Sequence, residues 1–312
     1  MDIIQFPDDA RPARWTQPVL ALGNFDGVHR GHRKILDRVR RVATEHSATP
    51  VVMTFDPHPS RVVRPDKAPA LLMTTAQKLR TLEDAGVQGA AIVRFTYELS
   101  QWDPETFVRT VLVDWLRVAE VWVGANFLFG HDRTGNFSML RTLGARYGFK
   151  AEKIDPIRYK DFVVSSTRIR RLISEGRIDE AGALLGHEYW LDGRVEPGAR
   201  RGAQIGFPTA NLCTENELLP PLGVYATTAT VGEIVYRSVT NIGVRPTVDN
   251  SGRVTIETHI FDFDKDLYGS SIRIGFVQRL RDERAFASID LLRAQIAADC
   301  MRARALFDRL SL

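Results

Sequence analysis

The stretch of this 312-residue chain best suited to chemistry is Gly23, Asn24, Phe25, Asp26, Gly27, Val28, His29, Arg30, Gly31 and His32. Glycines let a backbone approach a ligand closely, and the unpaired N–H groups at a helix start favour an anion there. His29 and His32 stand three apart, at what reads as a first helical turn, so both imidazoles can reach one phosphoryl group in an electrostatic role. The elements around them support that placement. Pro18 to Leu22 reads as the end of a buried strand, and Arg30 to His46 puts Ile35, Leu36, Val39, Val42 and Ala43 on one helical face. No Gly-Lys-Ser/Thr ending follows the stretch and its spacing differs from the dinucleotide fingerprint, so neither standard phosphate loop describes it.

Other polar groups fall where strands end. Pro50 to Phe55 is a strand followed by Asp56, Pro57, His58 and Pro59, a loop expected near the pocket because open α/β sheets bind ligands beyond the carboxyl ends of their strands. Thr75 to Gly86 reads as a helix with Leu79 and Leu82 inward, Ala90 to Phe95 as a strand, and Asp103 to Arg117 as a helix capped by Asp103 with Pro104 at its first position. The strand Glu120 to Gly124 runs into a polar loop that carries Asn126. Ser165, Ser166 and Thr167 open a helix that brings Arg168 and Arg170. Repeated strand-then-helix units make a parallel, doubly wound sheet the expected architecture.

After a short helix pair ending at Gly186 the periodicity changes. Tyr189 to Val195, Gly223 to Val231, Ile234 to Ile242, Val254 to Phe261 and Ser271 to Arg279 are alternating or β-branched runs, which predict an antiparallel barrel. Ser288 to Leu310 restores helical periodicity, with Leu291, Leu292, Ile296, Ala297 and Met301 expected to pack on the barrel. Within the barrel half, Gly206, Phe207, Pro208, Thr209, Ala210 and Asn211 make a compact motif whose Thr209 and Asn211 project to one side of an extended chain and can share a cation. The expected domains are 1–186 and 187–312.

The composition, 44% hydrophobic and 26% charged, is that of an ordinary globular protein, and the length fits two domains. The net charge of +4 comes from basic residues interleaved with acids, so nucleic acid is not the expected partner. Cys213 and Cys300 are too few for a disulfide framework. No apolar stretch approaches the roughly 18 residues of a membrane span, and Met1 to Asp9 has no signal core, so no membrane role is expected and the chain is read as cytoplasmic.

Gly-x-Phe-Asp-Gly-x-His-x-Gly-His resembles the nucleotide-binding signature of bacterial bifunctional riboflavin kinase/FMN adenylyltransferases, the FAD synthetases, although its His-x-Gly-His part is shared with the wider nucleotidylyltransferase superfamily. Ser165 to Arg170 is similar to the family's Ser-Ser-Thr-x-Ile-Arg motif, and Gly206 to Asn211 to its kinase signature. Thr240 to Thr247 resembles Asn-Ile-Gly-x-Arg-Pro-Thr, and Glu257 to His259 its Glu-x-His.

The resemblance implies a Rossmann-like nucleotidylyltransferase domain followed by a riboflavin kinase barrel with a terminal helix. It implies riboflavin, FMN and ATP as substrates and Mg²⁺ as cofactor. In the first domain His29 and His32 would act on the ATP phosphates, with Gly23, Phe25, Asp26, Gly27, Gly31, Asn126, Ser165, Ser166, Thr167 and Arg170 binding ATP and Asp56, Pro57 and His58 on the flavin side. In the second, Gly206, Pro208, Thr209 and Asn211 would hold ATP, with Thr209 and Asn211 on Mg²⁺ and Glu257 as general base. The chain departs from the family pattern Gly-x-Gly-Arg-Gly at Arg200, where a glycine is usual. Retention of one activity, an altered flavin-like substrate, and a flavin- or nucleic-acid-binding regulator on the same fold are the alternatives.

Overall fold

The computed structural model describes residues 1–198, 202, 205–244 and 254–311, and internal contacts divide the chain into two compact units, Met1–Ser166 and Thr167–Leu312. In the first unit, β1 (Asp2–Phe6), β2 (Val19–Leu22), β3 (Pro50–Asp56), β4 (Gly89–Arg94), β5 (Glu120–Gly124) and β6 (Lys150–Ile154) form one parallel sheet. The order is β1-β4-β3-β2-β5-β6. Every residue of β2 is buried, as covering on both faces requires. From β2 the chain steps through β3 to β4 on one side and then crosses back to β5 on the other. The loops leaving β2 and β5 therefore flank the point where the strand order reverses, which is where an open α/β sheet takes its ligand.

The sheet's core joins Leu20, Leu22, Val51, Met53, Ala91, Val93, Val121 and Val123 to Val108, Val111 and Leu112. Helix α1 (Arg30–Glu45) buries Ile35, Leu36, Val39, Val42 and Ala43, the face that its spacing predicts. Helix α2 (Thr75–Asp84) departs from expectation: its buried residues are Gln77, Lys78, Thr81 and Leu82, while Leu79 is half-buried. A capping box closes its start, Thr74 accepting from the Gln77 N–H and the Gln77 side chain accepting from the Thr74 N–H. Asp103 caps the next helix as expected, but after Pro104–Phe107 the winding widens to a π-helix over Val108–Trp115. Helix α3 (Phe137–Tyr147) and the edge strands β1 and β6 were not expected from the sequence.

Helix α4 (Ser166–Ser174) straddles the division between the units. In the second, α5 (Ile178–Leu185) precedes a closed antiparallel barrel of β7 (Tyr189–Glu196), β8 (Ala210–Thr214), β9 (Gly223–Val231), β10 (Ile234–Val244), β11 (Val254–Ile260) and β12 (Ser271–Asp282). The barrel order is β7-β8-β11-β10-β9-β12. Its interior is not wholly apolar. Thr227, Ser238, Thr240 and Thr258 are fully buried and joined by their hydroxyls: Thr227 to Ser238 and to Thr240 at 2.8 Å each, and Thr240 to Thr258 at 2.9 Å. Ser238 donates to the Thr227 carbonyl at 2.8 Å. A hydroxyl has one hydrogen to give, so that bond orients the chain, and each donor has an acceptor from Thr258 through Thr240 and Thr227 to Ser238.

Helix α6 (Ile289–Leu310), capped by Ser288, packs on the barrel; of the residues expected to face it Ile296 does so and Leu292 and Ala297 are half-buried, but the deepest contacts come from others. Asp299, Cys300, Ala303, Leu306 and Phe307 are buried, whereas Leu291 and Met301 are exposed. Asp299 fixes the helix's rotation: Arg281 of β12 meets its carboxylate at 2.8 Å, and a buried carboxylate must face its partner. Among the described residues no helix is long and apolar enough to cross a membrane.

Candidate active sites

The Gly23–His32 turn leaves β2 in a demanding conformation. Phe25, Gly27 and Val28 have φ of 50°, 86° and 37°. For a β-branched residue such as Val28 this costs about 1–3 kcal/mol, which the packing of buried Phe25 and Val28 offsets. The strain turns the chain so that His29 caps α1, its Nδ1 accepting from the His32 N–H at 3.3 Å. An accepting Nδ1 leaves Nε2 as the protonated nitrogen of neutral His29. The two imidazoles stack at 3.7 Å between centroids and 10° between planes, so the spacing did bring them together. A Cβ on Gly31 would stand 3.1 Å from the His29 ring, so Gly31 leaves the room this stacking needs.

Burial, His29 and Lys78 together hold the His32 imidazole well below its ordinary pKa. Its Nδ1 is out of contact with solvent and has no hydrogen-bond partner. His32 is therefore neutral at pH 7 and offers a hydrogen bond rather than a charge.

Asp26 is 3% exposed, and its carboxylate accepts from the Leu72 N–H at 3.0 and 3.1 Å and from the Met73 N–H at 3.3 Å. It thus pins the loop before α2 beneath the turn. The Asp26 carbonyl accepts from the Ser166 hydroxyl at 2.9 Å, which ties the start of α4 to the same turn. Thr167, exposed, and Arg170, half-buried, follow on α4 and belong to the second unit.

Asp56 ends β3, exposed, and accepts from the Thr75 hydroxyl at 3.1 Å. After Pro57, His58 caps the short helix Pro59–Val63, and its Nε2 lies 3.1 Å from the Asn24 amide. The loop after β3 thus meets the turn after β2. Asn126 lines an open cleft of about 460 Å³ with Phe127, Phe137 and Lys153, beyond the ends of β5 and β6. Thr54, Lys78 and Lys153 were not singled out in the sequence, and Asn24 was named there as part of the turn without a role of its own. Lys78 alone gave a signal, four residues from Leu82 on the inward face of α2.

In the barrel the signature residues Thr209 and Asn211 are half-buried. Asn211 of β8 pairs with Glu257 of β11, and Glu257 pairs on its other side with Asn241 of β10, so one polar row crosses three strands. Directly paired residues share a face with Cβ atoms about 5 Å apart, which puts the Glu257 carboxylate between two amides. His259, two residues along the same face, donates from Nδ1 to the Pro208 carbonyl at 2.8 Å and holds the signature loop against β11. Gly206 has a φ of 88° and is exposed. A Cβ on Gly198 would collide with the Asn211 amide at 2.1 Å, and one on Gly202 would collide with the Phe207 carbonyl at 2.3 Å and come within 3.3 Å of the Thr209 hydroxyl. Glycine at both positions lets the loop backbone lie directly against the signature residues. Arg200 and the Arg245–Thr247 part of the second motif lie outside the described residues.

The family model described as FAD synthetase matches residues 11–168, and the one described as riboflavin kinase matches residues 185–307. The bifunctional riboflavin kinase/FMN adenylyltransferase of Escherichia coli (strain K12) is 39% identical over 93% of this chain and 92% of its own. That of Bacillus subtilis (strain 168) is 36% identical over 94% and 93%. The chain belongs to this family. Its members use ATP, riboflavin and FMN, and the two domains stand in the family's order. A crystal structure of a macrolide-efflux protein from Streptococcus pneumoniae has the same two-part architecture, with a TM-score of 0.87 and 28% identity over 97% of this chain and 99% of that one.

The chain is thus a bifunctional riboflavin kinase and FMN adenylyltransferase. Phosphorylation of riboflavin by ATP gives FMN, and transfer of AMP from ATP onto FMN gives FAD and pyrophosphate.

Proposed function

We propose that each activity is carried by its own residue set, with the functional boundary between residues 186 and 187. The FAD synthetase match ends at 168 and the riboflavin kinase match begins at 185, which supports a boundary at or just before the end of the short helix pair.

Adenylyl transfer is assigned to the Gly23–His32 turn with Asn126, Ser165, Ser166, Thr167 and Arg170 on the nucleotide and Asp56, Pro57 and His58 on the flavin. A phosphate oxygen of FMN attacks the α-phosphorus of ATP, and the bond to pyrophosphate breaks. The attacking group is already an anion, so no enzyme nucleophile is required and positioning with charge stabilisation suffices. His29 donates from Nε2 and neutral His32 from its ring N–H to oxygens at the α-phosphorus. Asp26 and Gly31 position this pair. The observation that carries the reading is the stacking of His29 on His32 at the start of α1, where the sheet's strand order reverses.

Phosphoryl transfer is assigned to the barrel. Glu257 accepts the proton of the riboflavin 5′-hydroxyl as that oxygen bonds to the γ-phosphorus of ATP and the bond to ADP breaks. Its place in register with Asn211 supports this role. Gly206, Pro208, Thr209 and Asn211 hold the nucleotide. Thr209 Oγ1 and Asn211 Oδ1, on half-buried side chains two residues apart on an extended segment, suit Mg²⁺, which takes few protein oxygens and keeps waters and phosphates. When bound, the ion neutralises charge on the triphosphate. We place the protein in the cytoplasm, where its substrates and a pair of cysteines outside any disulfide fit.

The test resolves FMN from FAD after incubation with riboflavin, ATP and Mg²⁺. His29→Ala is expected to lose FAD formation and keep FMN formation. Glu257→Gln is expected to lose FMN formation by about 10²–10⁴-fold and still convert supplied FMN to FAD. Equal loss of both activities in either variant, with the fold intact, refutes the two-site assignment.

A further inference from the structure

Lys78 is 6% exposed on the inward face of α2, beneath the Gly23–His32 turn. Its ammonium donates to the Thr54 hydroxyl at 3.2 Å, and Thr54 donates to the Asn24 carbonyl at 3.0 Å. The Asn24 amide in turn lies 3.1 Å from His58 Nε2. One connected path thus runs from the buried cation through β3 and the turn to the loop on the flavin side.

Packing does not account for this lysine. Buried lysines are almost always paired with a carboxylate, since an isolated ammonium loses far more hydration than one neutral hydroxyl returns. Among the described residues Lys78 has no such ion pair. The carboxylates of Asp26 and Asp56 act on it through space, but burial outweighs them and its pKa is lowered. A methionine would fill the same volume at no desolvation cost. The groups that face it are Asp26, Asp56, Thr54 and His32, and His32 is in turn faced by His29. Two of these are imidazoles, and His32 stays neutral. Lys78 is therefore a buried positive charge beneath a turn assigned to phosphate.

We propose that Lys78 is a positioning residue for adenylyl transfer: its charge draws the phosphates toward the turn from beneath, and through Thr54 and Asn24 it sets the spacing between the turn and the His58 loop. This rests on the assignment of adenylyl transfer to the His29–His32 turn. The anion it serves is the phosphate monoester of the acceptor as it meets the α-phosphate of ATP. The ammonium's charge favours that approach from behind the turn, and its bond to Thr54 holds the Asn24 carbonyl in place.

The test uses the full chain carrying Lys78→Met, which keeps the volume and removes the charge. Conversion of supplied FMN to FAD should fall about 100-fold in kcat/KM, as for loss of one preorganised charge-stabilising group. FMN formation from riboflavin should stay within about twofold of wild type. The unfolding midpoint should be unchanged or higher, because a desolvated charge has gone. In an NMR titration the His32 ring resonance should show its midpoint moved upward, since one repulsive charge has been removed. FAD formation within about threefold of wild type overturns the proposal. So does a loss of FAD formation accompanied by a lower unfolding midpoint and an unmoved His32 titration, which would mark a structural role. A His29→Ala enzyme that still makes FAD at the wild-type rate overturns the underlying site assignment instead.

Discussion

Replacing Asp26 by alanine tests whether its carboxylate clamps two loops together. The wild-type carboxylate accepts from two amides, the Leu72 N–H shared between both oxygens and the Met73 N–H on Oδ1, in a place that water does not reach. Alanine leaves two buried N–H groups without an acceptor. Each unmet donor costs about 1–3 kcal/mol, so the loss is expected at about 3–5 kcal/mol in total. Removing the carboxylate also takes away one of the charges that favours the Lys78 ammonium. Asparagine retains Oδ1, the atom that reaches both amides, and should recover about half of that loss. Hydrogen exchange reads the effect locally: the Leu72 and Met73 amides should exchange about 10²–10³-fold faster in Asp26→Ala. FAD formation should fall with it, while riboflavin phosphorylation in the barrel continues. If both amides keep their wild-type protection in Asp26→Ala, the carboxylate is not the clamp described and its role lies wholly with ligand.

Two further outcomes follow from single side chains. His32 resists protonation when folded but takes a proton near pH 6.5 when unfolded, so its contribution to stability is present above pH 6.5 and is lost as pH falls below it. The loss should run at about 1.4 kcal/mol per pH unit until the folded group itself titrates; urea midpoints of wild type and His32→Asn should converge on acidification, and parallel curves would refute the assignment. At Gly89 an added Cβ would stand 2.4 Å from the indole of Trp15, which is 1% exposed and donates to Asp2 at 3.0 Å. Gly89→Ala should therefore lower the stability of the sheet unit by about 1–3 kcal/mol, measured by urea unfolding, with barrel activity retained.

The central strands were legible because they are uninterrupted apolar runs, as Val19–Leu22 shows, and α1 was legible because its buried residues keep strict helical spacing. The edges of the sheet were not. Lys150–Ile154 has three charged residues among five in KAEKI, and Asp2–Phe6 is a short run that begins on an acid and stops at Pro7, so neither carries the signal of a strand buried on both faces. Composition also hid Lys78, since a lysine in a helix reads as solvated until its place relative to Leu82 is counted. The rotation of α6 was hidden for a related reason: an acidic residue, Asp299, faces inward because Arg281 waits there, and no apolar pattern reports a buried ion pair. The candidate site residues, by contrast, lie in local motifs at strand and helix ends, where the chain itself brings them close.

The hydroxyl chain inside the barrel bears on the phosphoryl-transfer row. A strand that slides by two residues keeps its inward and outward sides unchanged, so an interior lined only by similar apolar residues would tolerate such a slide. Here it would break the match of Thr240 with Thr258 and strand buried hydroxyls without acceptors. Thr240 and Thr258 are the immediate chain neighbours of Asn241 and Glu257, and the two pairs share one alignment. The dry side of the wall thus acts as a ratchet for the wet side, denying Glu257 any alignment on β10 but the one opposite Asn241.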